Sequence, residues 1–446
     1  MRKTIAPQLG LVAPVVDHPH ARELARISEI LDKLPEAARL VAEDLDRGAS
    51  ADRGGRTGMS GEQVLRCIVL KQMLGFSYEV LAFHLEDSPT YRMFCRLGLM
   101  DSAPRRSTLA DNVKRVTPET TEQINRLIIG KAKKAGVENG KKVRIDSTVI
   151  DANIHHPLDS HLLFDVVRVL TRILKDSRKF SSRVEFSNHA KRAKRRMLDV
   201  VNARSMAQRV PIYRELVQIS RWTIGYAVRT AALLSTLANP RALAAASQLK
   251  HYVELGNKVV NQTERRVIHG ESVPATEKVV SIFEPHTDVI VKDRRETLYG
   301  HKVFFNVGAS GMVIDMLMER GNPSDVAHAI PMLERHRDIL GKVPEQAAFD
   351  AGFTSTANTQ LSRALGVKDA CFAAKGSIAV LEGVRSPEQY RKLHRFRAGV
   401  EGIISFTKRC FGLGRCLWRG YSSFQAYAWA SVISTNLLLF ARHTMS

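Results

Sequence analysis

Residues 142–150 have the sequence KVRIDSTVI, and this stretch decides the fold of the chain. β-Branched residues dominate it, so it predicts a β-strand. A second short apolar strand is predicted at residues 346–350, QAAFD. Asp146 and Asp350 stand where these two strands run out, which is where α/β sheets place their active sites. Either aspartate alone would be an ordinary turn or helix-capping carboxylate.

Strands and helices alternate in the region downstream of residue 300. Strand patterns at 301–307 and 312–318 flank the sequence GASG, which indicates a hairpin. An amphipathic helix at 325–340, a helix at about 356–365 and a strand at 369–374 follow. This alternation predicts an α/β fold with a mixed sheet that is parallel in part.

The region before the first strand has a helical pattern. From Ser60 to Gly136 apolar residues recur at helix spacing, Gly75 stops one helix, and Ser77 can cap the next. Short helices joined by a tight turn are compatible with a helix-turn-helix, or with a helical bundle that has no DNA contact. Residues 1–55 end in the polar sequence RGASADRGG at 47–55, which indicates a linker before the fold proper.

A long helical insertion is predicted between the two aspartates, at about 160–270. Pro211 and the pair Asn239–Pro240 are its expected helix breakers. The insertion carries a dense basic run, in which five of six consecutive residues are cationic: Lys191, Arg192, Lys194, Arg195 and Arg196. Such a run suits contacts with phosphates, although a solvated charged face is the alternative.

Composition narrows the class of protein. The chain has 67 Lys and Arg against 45 Asp and Glu, a formal charge of +22, and a pI of about 10.0, the balance expected of a nucleic-acid partner. Five cysteines without a CxxC pair indicate neither a disulfide framework nor a structural zinc site, which fits a cytoplasmic protein. No export signal is recognisable, and the apolar segment 426–441 predicts a buried helix, because it is shorter than a membrane span of roughly 20 residues.

The segment 393–410 predicts a helix with two different faces. At about 100° per residue, Arg397, Glu401, Lys408 and His394 fall in one narrow stripe, whereas the opposite face is apolar. The members of that apolar face are Phe396, Val400, Ile403, Phe406 and Cys410. A solvated face with i,i+4 pairing of Arg397 and Glu401 is the alternative interpretation.

These residues resemble the DDE transposases of bacterial insertion sequences, in the group that includes insertion sequence five. The shared features are a strand into Asp146-Ser-Thr, another into Asp350-Ala-Gly-Phe, and a helix with the order Tyr-x2-Arg-x3-Glu-x6-Lys. Arg397, Glu401 and Lys408 fit that helix, while His394 stands where the family usually has Tyr. The resemblance also covers residues 56–136 and the tail from Arg415 and Arg419 to residue 437, roughly two thirds of the chain.

The resemblance implies an RNase H-like core at 137–159 and 271–446, a helical DNA-binding domain at 56–136, the helical insertion at 160–270, and an N-terminal segment and linker at 1–55. It implies that two Mg²⁺ or Mn²⁺ ions are held by Asp146, Asp350 and Glu401, with Asp146 bridging them. Arg397 and Lys408 would grip the DNA backbone, and Arg415 and Arg419 would extend that grip. The implied partners are the terminal inverted repeats of the element and target DNA, with a homodimer or larger assembly on DNA and no membrane.

Other interpretations of the sequence stay open. A metal-dependent nuclease of the same fold would cut without joining, and a DNA-binding protein derived from a transposase would do neither. A metal site at His155, His156, Asp159 and His161 is a weaker alternative, because Asp159 or Ser160 suits the N-cap of the following helix.

Overall fold

A computed structural model describes residues 16–47, 58–98, 100–292, 296–373 and 380–445. The chain divides into two compact units. Unit 1 comprises residues 1–150, 302–319 and 323–446, and unit 2 comprises residues 151–301 and 320–322. Most of the predicted linker, residues 48–55, lies outside the described residues.

The N-terminal part of unit 1 is helical, as expected. Its helices are α1 (Pro19–Asp32), α2 (Pro35–Asp46), α3 (Gly61–Leu74), α4 (Tyr78–Asp87), α5 (Pro89–Phe94), α6 (Arg106–Val113) and α7 (Pro118–Lys134). The predicted signals between α3 and α4 are confirmed. Gly75 ends α3 in the left-handed conformation at φ 65°, and the Ser77 hydroxyl accepts the backbone N–H of Val80 at the start of α4.

The fold begins earlier than the sequence indicated. Helices α1 and α2 lie in the segment that was expected to precede the fold, and Leu24, Ile27 and Val41 are buried in the core of unit 1. The polar sequence around residue 50 suggested a boundary, but it follows two amphipathic helices whose apolar faces have to be covered.

Unit 2 contains the predicted helical insertion. After β1 (Lys142–Ala152) come α8 (Asp159–Ser177), α9 (Ala190–Asn202), α10 (Met206–Ser235), α11 (Pro240–Thr263) and a π-helical turn (Glu264–Ile268). No strand interrupts residues 160–270, as expected. The unit also contains a strand that sequence analysis missed, β2 (Asp288–Lys292), which pairs antiparallel with residues 296–300.

Two predictions about helix boundaries in unit 2 were wrong. Pro211 does not break a helix but lies inside α10, in its second turn, where few backbone hydrogen bonds precede it. Asp159 is not the N-cap of α8: Leu158 holds that position without a side-chain cap. The Asp159 carboxylate instead accepts hydrogen bonds from Gln262 and Arg266. By contrast, Asn239 caps α11 and Pro240 begins it, so the predicted break there is confirmed.

The rest of unit 1 alternates strands and helices. It contains the end of β3 (Glu296–Gly308), β4 (Val313–Glu319), α12 (Ala329–Leu340), β5 (Gln346–Phe349), α13 (Thr356–Ala364), β6 (Asp369–Phe372), α14 (Pro387–Cys410), β7 (Arg415–Cys416) and α15 (Tyr421–Met445). A 3₁₀ turn at Asp325–His328 precedes α12, and another at Ala351–Phe353 follows β5. The predicted hairpin is β3 paired antiparallel with β4.

The strands of unit 1 form one mixed sheet in the order β4-β3-β1-β5-β6, with β7 also paired to β1. The pairs β1–β5 and β5–β6 are parallel, so the expected α/β class with a sheet that is parallel in part is confirmed. Helix α15 contains the apolar segment 426–441, which is buried as predicted. Among the described residues, no helix has the length and apolar character needed to cross a membrane.

Candidate active site

The register of β1 and β5 brings Asp146 and Asp350 to the same level of the sheet. The parallel pairing runs from Lys142 opposite Gln346 to Ile145 opposite Phe349. Asp146 and Asp350 each directly follow the last residue of this pairing. Asp350 directly follows β5, as predicted. Asp146 is not at a strand end, because β1 continues to Ala152. Only the pairing with β5 ends there, and the two carboxylates emerge beside each other at that point.

The Asp146 carboxylate is surrounded by charge. Burial is the main reason that its pKa is raised from 3.8 to about 6, and the nearby carboxylates of Asp350 and Asp325 raise it further. The Ser147 backbone N–H, which donates to Asp146 Oδ1 at 2.7 Å, and the Arg397 guanidinium act in the opposite direction. A buried carboxylate that lies beside two further acidic groups forms a site that favours a cation.

Helix α14 lies against the face of β1 that carries Asp146. Residues 142, 144 and 146 share this face, because side chains alternate along a strand. The Lys142 ammonium lies 4.3 Å from the centre of the Phe396 ring, and Arg144 donates to the Phe396 carbonyl at 3.2 Å. Further along, Lys408 Nζ donates to the Val149 carbonyl at 2.7 Å. Since these contacts occur in the same order on both elements, α14 and β1 run in the same direction.

Arg397 connects α14 with the end of β5. Its Nη1 lies 2.9 Å from Asp350 Oδ1, and its side chain is mostly buried, whereas 42% of the Asp350 side chain is exposed. The pair in this structure is therefore between helix and strand, and not the i,i+4 pair with Glu401 that was the alternative. A guanidinium at this position partly balances the charge of the two aspartates.

Glu401 is exposed one helical turn after Arg397. It lies between Arg397, which contacts Asp350 at the end of β5, and Lys408, which contacts β1. The side of α14 that carries these two residues therefore faces the sheet where the two aspartates lie. Glu401 does not join them closely: no three His, Cys, Asp or Glu side chains within the described ranges have the spacing of a metal site. The structure therefore places Asp146 and Asp350 side by side, and Glu401 is exposed on the helix that packs against β1.

The buried face of α14 differs from the predicted one. The helix buries Leu393, Val400, Ile404 and Thr407, while Cys410 is exposed and Phe396, Ile403 and Phe406 are half-buried. At 100° per residue the buried face is turned by about 70° toward the functional stripe. The physical reason is that α14 packs on a strand face which itself carries Lys142 and Arg144, and their cations are covered by the Phe396 ring.

Two residues near the site were missed by sequence analysis. Asp325 begins the turn after β4, and its Oδ1 lies 2.8 Å from the Lys302 ammonium on β3. Asp325 also packs closely on Gly352, where a Cβ atom would be 2.4 Å from Asp325 Oδ2. The sequence marked Asp325 only as the first residue of the predicted helix at 325–340, and no pattern there indicated a role in the site.

The donor atoms of this region suit a hard divalent cation. Asp146, Asp350 and Glu401 supply only carboxylate oxygens, which Mg²⁺ prefers, and the pKa of Asp146 is raised mainly because burial makes its negative charge costly. A bound cation would offset that charge. The carboxylates of Asp146 and Asp350 therefore fit the implied metal.

The remaining basic residues predicted near the site lie at the end of α14 and beyond. Arg415 is exposed in β7, the short strand paired with β1, and Arg419 is exposed in the turn before α15. His394, which replaces the usual Tyr, is exposed, and its ring stacks on Tyr390 at a centroid distance of 5.8 Å.

The basic run of unit 2 lies on α9 and divides into two groups. Arg192 and Arg196 both form ion pairs with Glu215 at 2.7 Å, and Arg196 also pairs with Asp199. Lys191, Lys194 and Arg195 are exposed. Ion pairs therefore account for two members of the run, and the other three lie on the solvated face that was the alternative.

The histidine-rich segment of unit 2 does not form a metal site among the residues that the structure describes. His155 Nε2 lies 3.5 Å from Asp165, and Asp159 is paired with Arg266 at 3.0 Å. These contacts are those of a structural network.

Comparison with known families gives two matches. The family described as Transposase domain (DUF772) matches residues 15–115, a range that includes the helices α1 and α2. The family described as Transposase DDE domain matches residues 285–437. Comparisons with curated proteins and with solved structures gave no match. With the helical N-terminal region and the mixed sheet, these matches show that the fold is RNase H-like and that the chain belongs to the DDE transposases of insertion sequences.

Proposed function

We propose that this transposase is catalytically active, and that it cuts DNA at the ends of its element and joins them to target DNA through Asp146, Asp350 and Glu401. The adjacency of Asp146 and Asp350, next to the stripe of α14 that carries Glu401, is the observation that supports this most strongly. Within the DDE transposases, we assign this protein to the group that includes insertion sequence five.

Two divalent ions, Mg²⁺ or Mn²⁺, are the proposed cofactors, and the carboxylates of Asp146, Asp350 and Glu401 would hold them. When bound, such ions activate the attacking oxygen and stabilise the charge of the phosphoryl and leaving oxygens. The chain's own contribution is to hold the carboxylates. Ser147 orients the Asp146 carboxylate through its backbone N–H, and Arg397 orients Asp350.

The proposed reaction has two steps at one site. In the first, water attacks a phosphodiester at the element end, the bond from phosphorus to the 3′ oxygen breaks, and a 3′-hydroxyl is released. In the second, this hydroxyl attacks a phosphodiester of target DNA, forms a new bond to phosphorus and releases a target 3′-hydroxyl. The number of phosphodiester bonds is unchanged in the second step, so it needs no further energy source.

The DNA backbone is the proposed partner of the cations around this site. Lys408, Arg415 and Arg419 continue from α14 into β7 and the turn before α15, and Arg397 reaches the position of Asp350. Charged groups of this kind bind phosphates and supply affinity without reading sequence. The helical region at 56–136 is proposed to bind the terminal inverted repeats, and two DNA ends for each event call for a homodimer or larger assembly.

The test uses plasmid DNA that carries the element ends, with Mg²⁺ or with EDTA. We expect the wild-type protein to give cut and joined products only with Mg²⁺. Glu401→Gln should reduce both products by at least about 100-fold, because a neutral amide is a poor metal ligand, while DNA binding persists. Glu388→Gln, which changes an exposed glutamate on the same helix, is the matched control and should leave both products unchanged.

Other outcomes would favour the alternative functions. Cutting without joining indicates a metal-dependent nuclease, and binding without either product indicates a DNA-binding protein derived from a transposase. Cleavage that is insensitive to Glu401→Gln would show that the active site lies elsewhere.

A further inference from the structure

A tryptophan lies on the surface of unit 2, in the middle of α10. Trp222 is 41% exposed, although nothing in the packing of α10 requires an indole at this position, since the buried face of the helix is formed by other residues, among them Leu216, Ile219 and Ala227. An exposed aromatic of this size is more often part of a binding surface than an exposed aliphatic residue is.

Further rings surround Trp222. The imidazole of His189, just before α9, lies 5.4 Å from the indole between ring centres, and it also stacks on Tyr226 at 6.2 Å. Tyr226 follows Trp222 by one helical turn and is half-buried. These contacts hold the indole from one side and leave part of it accessible.

Cations frame the same rings. The guanidinium carbon of Arg192 lies 5.9 Å from the Trp222 ring centre, and that of Arg229 lies 5.1 Å from the Tyr226 ring centre. Arg214, eight residues before Trp222 on α10, is exposed, and so are Lys191, Lys194 and Arg195 on α9. We call this set, with Trp222 and Tyr226, the aromatic–basic surface.

The aromatic–basic surface has too little acidic charge to be a purely structural ion-pair network. Its acidic partners among the described residues are Glu215, which pairs with Arg192 and Arg196, and Asp199, which pairs with Arg196. No described acidic side chain forms an ion pair with Arg214, Lys191, Lys194 or Arg195. The surplus of positive charge is complementary to a polyanion.

We propose that the aromatic–basic surface binds unpaired DNA, with a base stacked on Trp222 and the flanking phosphates held by the cations. Aromatic rings interleaved with Lys and Arg are the combination that binds single strands, because every base has a stacking face and every nucleotide a phosphate. This proposal extends the proposed function, and it rests on that function because both require DNA as the partner.

Trp222 is the residue that decides between single-stranded and duplex DNA. In a duplex the faces of the bases are covered by their neighbours, so an indole on a helix surface reaches them only if the stack opens. The cations contact phosphates of either form. Loss of the indole should therefore weaken binding to unpaired DNA more than binding to duplex DNA.

The experiment measures binding of the full-length protein in EDTA, so that no cleavage occurs. The probes are a fluorescein-labelled oligothymidylate of about 16 nucleotides, within the span of typical single-strand sites, and a duplex of the same length. We expect Trp222→Ala to raise the Kd for the oligothymidylate by about 5- to 100-fold, in line with the loss of one stacked base. The Kd for the duplex should change by less than about 2-fold, and Trp222→Phe should retain most of the affinity.

Two further measurements support the same test. Quenching of tryptophan fluorescence by oligothymidylate should occur in the wild-type protein and be largely lost in Trp222→Phe. Leu243→Ala removes another exposed apolar side chain of unit 2 and should change neither Kd.

Several results would overturn the proposal. They are an unchanged affinity of Trp222→Ala for oligothymidylate, an equal loss for both probes, or absence of quenching in the wild-type protein. A change in association state of Trp222→Ala by size-exclusion chromatography, with unchanged DNA binding, would assign the surface to contact with a second copy. Because these measurements need no cleavage, a wild-type protein that fails to cut plasmid DNA overturns the proposed function without affecting this result.

Discussion

The carboxyl group of Asp146 illustrates how burial of an acidic group makes the stability of the protein depend on pH. Its pKa in the folded chain, about 6, lies above the ordinary value of 3.8, so the folded state binds the proton more tightly than the unfolded state. The stability that this group contributes is fully present below pH 3.8 and is lost as the pH rises through about 6. At pH 7 the difference corresponds to about 3 kcal/mol at most.

We predict that Asp146→Asn stabilises the metal-free protein while it abolishes cleavage. The amide keeps the size of the side chain but has no charge to bury beside Asp350 and Asp325. In EDTA at pH 7 the Tm should rise, with a gain in unfolding free energy of about 1–3 kcal/mol. Added Mg²⁺ should raise the Tm of the wild-type protein and leave that of the variant unchanged.

Asp369→Asn is the matched control, because it makes the same change in the same sheet with the opposite expected sign. Asp369 is fully buried, and its bonds with Arg385, at 2.7 Å and 3.0 Å, lower its pKa. Removing that charge should lower the Tm at pH 7. If Asp146→Asn also lowers the Tm, Asp146 is a structural carboxylate and not a site for a cation.

Helix α14 shows at the scale of an element how the site depends on close packing. Gly399 lies where the Arg144 side chain crosses the helix, and a Cβ atom there would be 2.0 Å from Arg144 Nη1. Arg144 is itself buried and bonded to the Phe396 carbonyl, so it has little freedom to move. Gly402, three residues further, has no heavy atom within 4 Å of such a Cβ.

We predict opposite effects of alanine at these two glycines. Gly402→Ala should raise the unfolding free energy by up to about 1 kcal/mol, because alanine favours the helix. Gly399→Ala should lower it by about 1–3 kcal/mol, because the added methyl displaces Arg144. Chemical denaturation measures both.

Gly399→Ala should also reduce DNA cleavage, since α14 carries Glu401 and would move away from β1. A stabilising effect of Gly399→Ala equal to that of Gly402→Ala would show that Arg144 relocates freely and does not position the helix.

At the scale of unit 1, the C-terminal helix α15 is tied to both the sheet and the N-terminal helices. Asn436 accepts the backbone N–H of Val313 on the edge strand β4 at 2.8 Å and donates to the Val313 carbonyl at the same distance. It also donates to the side chain of Asn125 on α7 at 2.7 Å. All of these groups are buried, and Asn125 also donates to the carbonyls of Val313 and Ile314, so two side-chain amides satisfy a strand edge that would otherwise be unpaired.

We predict that Asn436→Ala destabilises the protein by about 2–4 kcal/mol, because it leaves the Val313 N–H and the Asn125 side-chain oxygen buried without the amide that bonds to them. Ser434→Ala, in the same buried helix, removes a hydroxyl that bonds to the helix's own carbonyl at Ala430, and should change stability by less than about 1 kcal/mol. Thermal or chemical unfolding measures the difference. Equal effects of the two substitutions would mean that Asn436 does not hold α15 to β4.

The local elements were largely predictable because they depend on neighbours in sequence. The β-branched stretch at 142–150, the apolar run before Asp350 and the periodic segment that became α14 each carry their pattern within about 20 residues. Capping by Ser77 and Asn239 and the stop at Gly75 are equally local. Those patterns also contained the residues of the candidate site, and so the family could be recognised from them.

What depends on distant residues was decided only by the tertiary structure. The register of β1 and β5 places Asp146 beside Asp350, although 203 residues separate them. The fold also brings Asp325, in the turn after β4, close enough to raise the pKa of Asp146. The buried face of α14 is set by Arg144 on another element, and Glu215 determines which cations of α9 are paired. Sequence determines which surfaces an element offers, because that follows from the order of its side chains. Which surface is covered, and which charges meet, depends on the partner that packs against it.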